Sequence, residues 1–248
     1  MAAQPDRTLE QNRDAWNAGR YDAWVEGIGA PAIEAARLVA DPRHKLRRLL
    51  PHLGEVAGKR VCNVQGSHGR VAVALALLGA DATVIDFAEE NRRYALELAA
   101  AADVTIDYRL ADVMQADQLG LEPFDMLVME LGITHYHQDI AGFFRTMAAV
   151  TRPGGQLLLE EFHPVERKLF RPGGGALGDY FRTELVVGDV PDPTGAGRSL
   201  GQCVMRGWTL GEIVTAVIDA GFTLRRLEEH PSWTDATVPG TFILVGRR

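Results

Sequence analysis

The sequence predicts an α/β protein built on a mostly parallel, doubly wound sheet, and three observations carry that prediction. From Gly58 onward, short apolar runs suited to strands alternate with stretches of helical spacing rich in Ala and Leu. The turns between them are short and punctuated by glycine, as successive βαβ units require. The chain has 248 residues, 46% of them hydrophobic and 24% charged, which suits one large α/β domain. A chain of this length buries about three quarters of its unfolded surface and needs neither disulfide nor metal to hold it.

Each element follows from its local pattern. Arg60–Gln65 is an apolar run that stops at Gly66, and Arg70–Leu78 then reads as a helix closed by Gly79. Ala82–Phe87 is a second strand, Glu89–Ala102 a helix, and Val104–Leu110 an alternating strand ending at Ala111-Asp112. Phe124–Glu130 is a buried-type strand and Ile140–Val150 a helix. Gly155–Phe162 is a strand introduced by Arg152-Pro153-Gly154-Gly155, a turn in which Pro stops the helix and Gly takes positive φ. Thr209–Ala220 is an amphipathic helix closed by Gly221. Thr223–Glu229 and Thr241–Arg247 then form two strands with no helix between them, which pair antiparallel. Ahead of the sheet, Leu9–Trp24 reads as a helix carrying Trp16, Tyr21 and Trp24. A long insertion, 163–208, contains Gly173-Gly174-Gly175 and Pro191-Asp192-Pro193 without clear periodicity, the mark of a functional lid or a disordered loop.

Charge and composition narrow the function classes. A net charge of −7 and a pI near 5.5 argue against a nucleic-acid surface, and the basic clusters Arg43–Arg48 and Arg225–Arg226 are short. No apolar run is long enough to span a bilayer, and Met1–Arg20 is polar rather than a signal sequence, so no membrane partner is expected. Cys62 and Cys203 match no zinc or redox spacing and read as buried packing residues, which fits a reducing, cytoplasmic setting.

Motifs fall at successive strand ends. The first is the turn Asn63-Val64-Gln65-Gly66-Ser67-His68-Gly69, the second Asp86, and the third Ala111-Asp112-Val113. The fourth strand runs into Met129-Glu130-Leu131-Gly132 and Ile133-Thr134-His135-Tyr136-His137, and the fifth closes with Glu161-Phe162-His163-Pro164. In an open α/β sheet a ligand binds at that carboxyl edge. In order and spacing these motifs resemble class I S-adenosylmethionine-dependent methyltransferases, and the likeness covers most of the chain.

The resemblance implies a Rossmann-like, seven-stranded, mostly parallel sheet with an antiparallel last strand. It further implies an N-terminal helical lid over residues 1–57, a methyltransferase domain over 58–248 that includes the insertion, and one structural domain overall. The cofactor implied is S-adenosyl-L-methionine, contacted by Tyr21, Gly66, Ser67, His68, Gly69, Asp86, Phe87, Asp112, Val113, Met129, Glu130 and Leu131. Family members carry an acid and three alternating glycines in the first turn. Here Asn63, Gln65 and Ser67 replace the acid and two of the glycines, Gly69 remains, and Gly66 adds a displaced one. Asp86 is placed for the ribose hydroxyls, although it also reads as a helix N-cap. Asp112 is placed for the adenine amino group, with Val113 or Met114 against the ring, although it also reads as a turn former. Tyr21 is placed to reach the methionine carboxylate or to line the acceptor pocket; equally, Trp16, Tyr21 and Trp24 form a packing stripe.

Methyl transfer from a sulfonium asks mainly for positioning, with reacting atoms about 3–3.5 Å apart and water excluded. A base is needed only for an acceptor that still carries its proton. His163 and His135 are the catalytic candidates, with His137, Glu130 and Glu161 beside them; each histidine also reads as a hydrogen-bonded structural residue. Phe170, Tyr180, Phe181 and Trp208 would complete a flat apolar pocket, which favours a small planar N or O acceptor. The alternative is a catalytically silent binding or scaffold protein of the same fold, suggested by the lost glycines. A dinucleotide site is excluded by the missing Gly-x-Gly-x-x-Gly spacing. No Asn-Pro-Pro-Tyr-type signature follows the fourth strand, which disfavours RNA or protein acceptors. A homodimer is left open.

Overall fold

The structure, a computed structural model, describes residues 7–169 and 178–248. Phe170 and Gly173-Gly174-Gly175 lie outside the described residues. The chain forms two compact units. One holds the described residues up to Val113 together with Val187–Val204; the other holds those of Met114–Val186 and Met205–Arg248.

In the first unit, helices α1 (Arg7–Trp16), α2 (Arg20–Ile28), α3 (Pro31–Ala40), α4 (Pro42–Lys45) and α5 (Leu50–Leu53) precede the strands. The single helix expected over Leu9–Trp24 is broken, because Gly19 takes φ +68 and separates α1 from α2. Glycine enters that left-handed region without a Cβ clash and is a poor interior helix residue. Helices α3 to α5 were not anticipated; each has proline in its first turn, where the missing N–H does no harm. Strand β1 (Arg60–Val64), helix α6 (Arg70–Leu77), strand β2 (Asp81–Asp86), helix α7 (Glu89–Ala101) and strand β3 (Asp107–Leu110) follow. The three strands are parallel, with Val64 opposite Ile85 and Asp86 opposite Leu110. Strand β3 starts later than expected. Asp103 at φ +54 and the Val104 N–H to Ala99 carbonyl bond of 3.1 Å use those residues to close α7.

In the second unit, strand β4 (Phe124–Glu130), helix α8 (Ile140–Val150) and strand β5 (Thr151–Phe162) form a parallel pair with its crossover. Helix α8 ends before the segment Arg152–Gly155, which is not a helix-end turn. Those residues belong to β5, opposite a register shift between Phe124 and Met126. Gly154 has φ +74 there, and a Cβ on Gly155 would lie 2.6 Å from Thr151 Cγ2. Helix α9 (Pro164–Leu169) and strands β6 (Leu185–Asp189) and β7 (Gln202–Arg206), the two strands falling mostly in the first unit, show that the insertion is not structureless. Helix α10 (Leu210–Asp219) is opened by a reciprocal capping box between Thr209 and Glu212. Strands β8 (Thr223–Pro231) and β9 (Pro239–Arg247) close the chain, with β9 antiparallel to both β5 and β8.

The seven-stranded sheet has the order β3-β2-β1-β4-β5-β9-β8, the mostly parallel α/β sheet with an antiparallel last strand that the sequence predicts. Its strands read as near-continuous apolar runs because they are buried on both faces: Val61, Val84, Leu127, Leu158 and Leu244 are all fully enclosed. Cys62 and Cys203 are free and buried, as expected of packing thiols.

Candidate active site

The turn after β1 keeps the backbone conformation of a glycine turn without the glycines. Gln65 and Ser67 take φ +48 and +49, and Gly69 takes +76. Left-handed backbone costs a residue with a Cβ about 1–2 kcal/mol, so something must hold these two in place. The remaining glycines are sterically required. A Cβ on Gly66 would lie 2.4 Å from Asn63 Oδ1, and one on Gly69 would lie 2.6 Å from Ala95 Cβ.

Asp86, at the end of β2, supplies much of the restraint. Its Oδ2 accepts from the Ser67 N–H at 3.0 Å and its Oδ1 from the Ala88 N–H at 2.9 Å. Asp86 is 8% exposed. Burial pushes its pKa up to about 6, against the hydrogen bonds from Ala88, Ser67 and the Asn91 side chain that favour the ionised form. It is therefore a carboxylate at neutral pH, with lone pairs left over for hydroxyl donors. Sequence reasoning offered Asp86 as ribose acceptor or helix cap. The Ala88 bond lies one residue ahead of α7, and Ala88 at the N-cap position of that helix has no capping side chain; the Glu90 N–H is taken by Asn17 Oδ1 at 3.2 Å.

A closed circuit ties this turn to α2. Trp24 Nε1 donates to Asn91 Oδ1 at 2.8 Å, Asn91 hydrogen-bonds Asp86, and Asp86 holds Ser67. The neighbouring His68 stacks on the Trp24 ring at 4.2 Å and 14°. Burial holds the His68 imidazole well below its usual pKa, with Arg70, Lys45 and Arg20 adding repulsion, so the ring stacks neutral. Behind Trp24, the Arg20 guanidinium lies 4.1 Å from its ring and 4.5 Å from that of Trp16. Asn91 was missed from sequence; its polar side chain on the buried face of α7 was the available signal.

The other first-unit candidates are placed as follows. The Tyr21 hydroxyl donates to Glu97 and its ring lies under the Arg93 guanidinium at 3.9 Å, so Trp24 rather than Tyr21 touches the turn. The N-terminal stripe thus packs, through Trp16 and Trp24. Phe87 is half-buried and Val113 buried, and Asp112 stands between the end of β3 and the short 3-10 turn Val113–Gln118. The Ala111 N–H bonds the Asp86 carbonyl at 3.0 Å and holds the two strand ends together.

In the second unit, Met129 is fully buried and Glu130 and Leu131 are half-buried. Leu131 and Gly132 take φ +48 and +86 as the chain leaves β4. Glu161 organises that loop. Its Oε1 accepts from the N–H groups of Gly132 and Phe162, both at 2.7 Å, and its Oε2 from those of Ile133 and Thr134, both at 2.8 Å, with the Thr134 hydroxyl at 3.2 Å. Such a carboxylate is spent on positioning the loop rather than on acceptor chemistry. Its sequence signal was a pair of acids, Glu160-Glu161, directly after the apolar run Leu157-Leu158-Leu159.

The three histidines differ in what they leave available. His163 Nδ1 accepts from the Val165 N–H at 3.1 Å, so the hydrogen of its neutral ring sits on Nε2, which lies 2.8 Å from Glu229 Oε1. Burial lowers its pKa, while Glu229 works to raise it. His163 Nδ1 is thus taken by the backbone at the start of α9, and its Nε2 faces the Glu229 carboxylate. His137 stacks on Phe143 at 4.0 Å, burial pulls its pKa down to about 3, and its carbonyl accepts from Trp208 Nε1 at 3.0 Å. His135 stacks at a tilt on Tyr136 and, among the described residues, neither of its ring nitrogens has a hydrogen-bond partner. Burial brings its pKa down to about 4 despite Glu161, leaving a neutral imidazole.

The aromatic pocket expected of the insertion does not form from the described residues. Trp208 is buried under Arg206, the Tyr180 hydroxyl accepts from the Leu210 N–H, and Phe181 is 77% exposed. Among the described residues no cluster of His, Cys, Asp and Glu is arranged to hold a metal ion, and no helix is long and apolar enough to cross a membrane.

Known proteins supply the remaining comparison. Residues 63–159 match the family model described as a methyltransferase domain. A ubiquinone biosynthesis O-methyltransferase from Methylobacterium sp. (strain 4-46) is 36% identical over 100 residues, 40% of this chain and 39% of that protein. Another, from Xanthomonas euvesicatoria pv. vesicatoria (strain 85-10), is 34% identical over 107 residues, 42% of this chain and 44% of that protein. The match thus spans about two-fifths of the length of these curated relatives. Among solved structures, an S-adenosylmethionine dependent methyltransferase from Mesorhizobium loti has a TM-score of 0.64 at 24% identity, covering 82% of this chain and 97% of that one. The magnesium protoporphyrin IX methyltransferase of Synechocystis PCC 6803 has a TM-score of 0.61 at 16% identity, covering 100% and 99%. At these identities the likeness is one of fold.

Proposed function

We propose that the protein, whose residues 63–159 match a methyltransferase-domain model and whose fold is that of class I methyltransferases, is an S-adenosylmethionine-dependent methyltransferase acting on a small-molecule oxygen or nitrogen acceptor. The observation that carries this reading is the left-handed backbone kept at Gln65 and Ser67, where the sequence has lost glycine. A turn with no ligand to accommodate has no reason to retain that strain.

The residues present fit the donor. A half-buried turn with backbone close to the surface suits a nucleoside, and the ionised Asp86 carboxyl retains lone pairs for a vicinal diol. Gly66, Ser67, His68 and Gly69 would line the donor with Asp86, followed by Phe87, Asp112 and Val113. When bound, S-adenosylmethionine would supply an electrophilic methyl carbon to the acceptor atom, whose proton would leave to solvent. The chain's own task is to orient and to shield. Asp86 fixes hydroxyls, the Trp24–Asn91 link holds Asp86 in place, and Glu161 holds the loop bearing Leu131 and His135. A neutral His135 accepts a hydrogen bond from an acceptor O–H or N–H and orients its lone pair. Buried free thiols at Cys62 and Cys203 accord with a reducing, cytoplasmic setting.

Calorimetry with S-adenosylmethionine and with its demethylated product tests the reading; no heat from either at millimolar ligand, with folded protein, rejects it. A silent binding protein is the alternative, favoured by Gln65 and Ser67 standing where the resembled family has glycine. Donor binding with no methyl transfer to any acceptor selects it.

A further inference from the structure

Beside Gly132 the second unit gathers an aromatic surface, a neutral hydrogen-bonding group and an uncompensated cation, none of which the donor needs. His135 Cε1 and Phe162 Cε2 lie 3.6 and 3.7 Å from where a side chain on Gly132 would begin. At φ +86 that position favours glycine, so neither ring is covered from it. Trp233 meets Phe162 edge-on at 6.3 Å and is itself 65% exposed, which leaves a large indole surface open beside the Phe162 ring.

Arg167 completes the group. Its guanidinium carbon lies 4.9 Å from the centroid of the Phe162 ring. Among the described residues its side chain makes no ion pair and no hydrogen bond. The carboxylates of the surrounding segments are engaged elsewhere: Glu161 by the loop N–H groups, Glu166 by Ser232 Oγ, and Glu229 by His163. In a chain of net charge −7, an arginine resting on an aromatic face with no acid among the described residues can serve as an anion receptor. Its fork matches a carboxylate in shape and offers two parallel donors. His135 feels the same charge, since Arg167 helps to depress its protonation.

The geometry points to an acceptor subsite for a planar aromatic carboxylate. The ring would lie against Phe162 and Trp233, the carboxylate on Arg167, and the hydroxyl or amino group to be methylated would face His135. This assignment rests on the methyl-transfer reading and adds to it the chemical class of the acceptor. Two properties of the site carry it together: flat apolar surface selects an aromatic body, and an unpaired guanidinium selects an anion over a neutral analogue.

The test uses hydroxybenzoates and aminobenzoates, each paired with its own carboxamide, on the full chain. Binding is read by saturation-transfer NMR with and without S-adenosylhomocysteine, and methyl transfer by labelled S-adenosylmethionine. At least one acid should bind tenfold or more tighter than its amide. Arg167→Gln should cut that ratio below about twofold, and Arg167→Lys should restore part of it; tenfold corresponds to about 1.4 kcal/mol. Equal binding of acid and amide across the panel overturns the assignment, as does a ratio that survives in Arg167→Gln. A chain that prefers the acids yet binds neither donor nor product sinks the methyl-transfer reading and leaves the subsite standing. One that binds the product but shows no acid preference sinks the subsite alone.

Discussion

Replacing Glu161 by alanine should loosen the loop after β4 and lower the stability of the whole chain. The carboxylate accepts from four backbone N–H groups and one hydroxyl. Two of those N–H groups, on Ile133 and Thr134, belong to buried residues. An orphaned donor in such a place costs about 1–3 kcal/mol. The donors on Gly132 and Phe162 belong to half-exposed residues and regain water. The two buried donors alone therefore cost about 2–6 kcal/mol, and each kcal/mol lowers the melting temperature of a chain this size by roughly 2–4 °C. A fall on the order of 10 °C is expected. Glu161→Gln should lose nearly as much, because its NH2 group turns a donor toward donors. Calorimetric melting and hydrogen exchange at Ile133 and Thr134 measure both effects. If both variants melt within about 2 °C of wild type, under roughly 1 kcal/mol, and those amides stay protected, the clamp reasoning is wrong.

Other consequences can be checked as directly. Burial lifts Asp86 to about 6, above its value in the unfolded chain, so the stability linked to its protonation is present below about pH 4 and lost as pH rises through about 6. Binding of S-adenosylhomocysteine should run the other way and strengthen between pH 5 and 7 as the acceptor ionises; Asp86→Asn should flatten that slope, and an unchanged slope removes Asp86 from the site. Gln65→Gly and Ser67→Gly should each stabilise the protein by about 0.5–1 kcal/mol, since relief of left-handed strain outweighs the added freedom of the unfolded chain; a loss in denaturant midpoint contradicts the strained-turn picture. Gly66→Ala should destabilise by about 1–3 kcal/mol by driving a methyl into Asn63. Trp24→Phe keeps an aromatic ring for His68 but strips the donor from Asn91, and should cost about 1 kcal/mol in urea melts with weaker binding of S-adenosylhomocysteine. Unaltered binding would mean that the circuit does not position the turn.

Local pattern made the sheet legible. Buried parallel strands are continuous apolar runs, so β1, β2, β4 and β5 could be found within a few residues, and Asp86 stood out as a charge where such a run ends. The turn after β1 was readable as a turn, but not as one that keeps glycine backbone angles with Gln65 and Ser67 in it. The surroundings of His163 were hidden for a related reason: Glu229, which its Nε2 faces, lies on β8, 66 residues further along, and no local signal reports that pairing. Tyr21 and Trp24 share one helix, and only its packing on α7 decided which of them meets the turn.

Sequence alone determined what short-range chemistry determines: the alternation of strand and helix, most of the breaks at glycine, and the strand ends where polar residues gather. Tertiary structure decided which of those polar groups remain available. A carboxylate or an imidazole has the same chemistry in any sequence, but its lone pairs are taken or left free by backbone groups that arrive from distant strands. Thus Glu161 became a clamp and His163 Nδ1 a cap, while the described residues leave both nitrogens of His135 free.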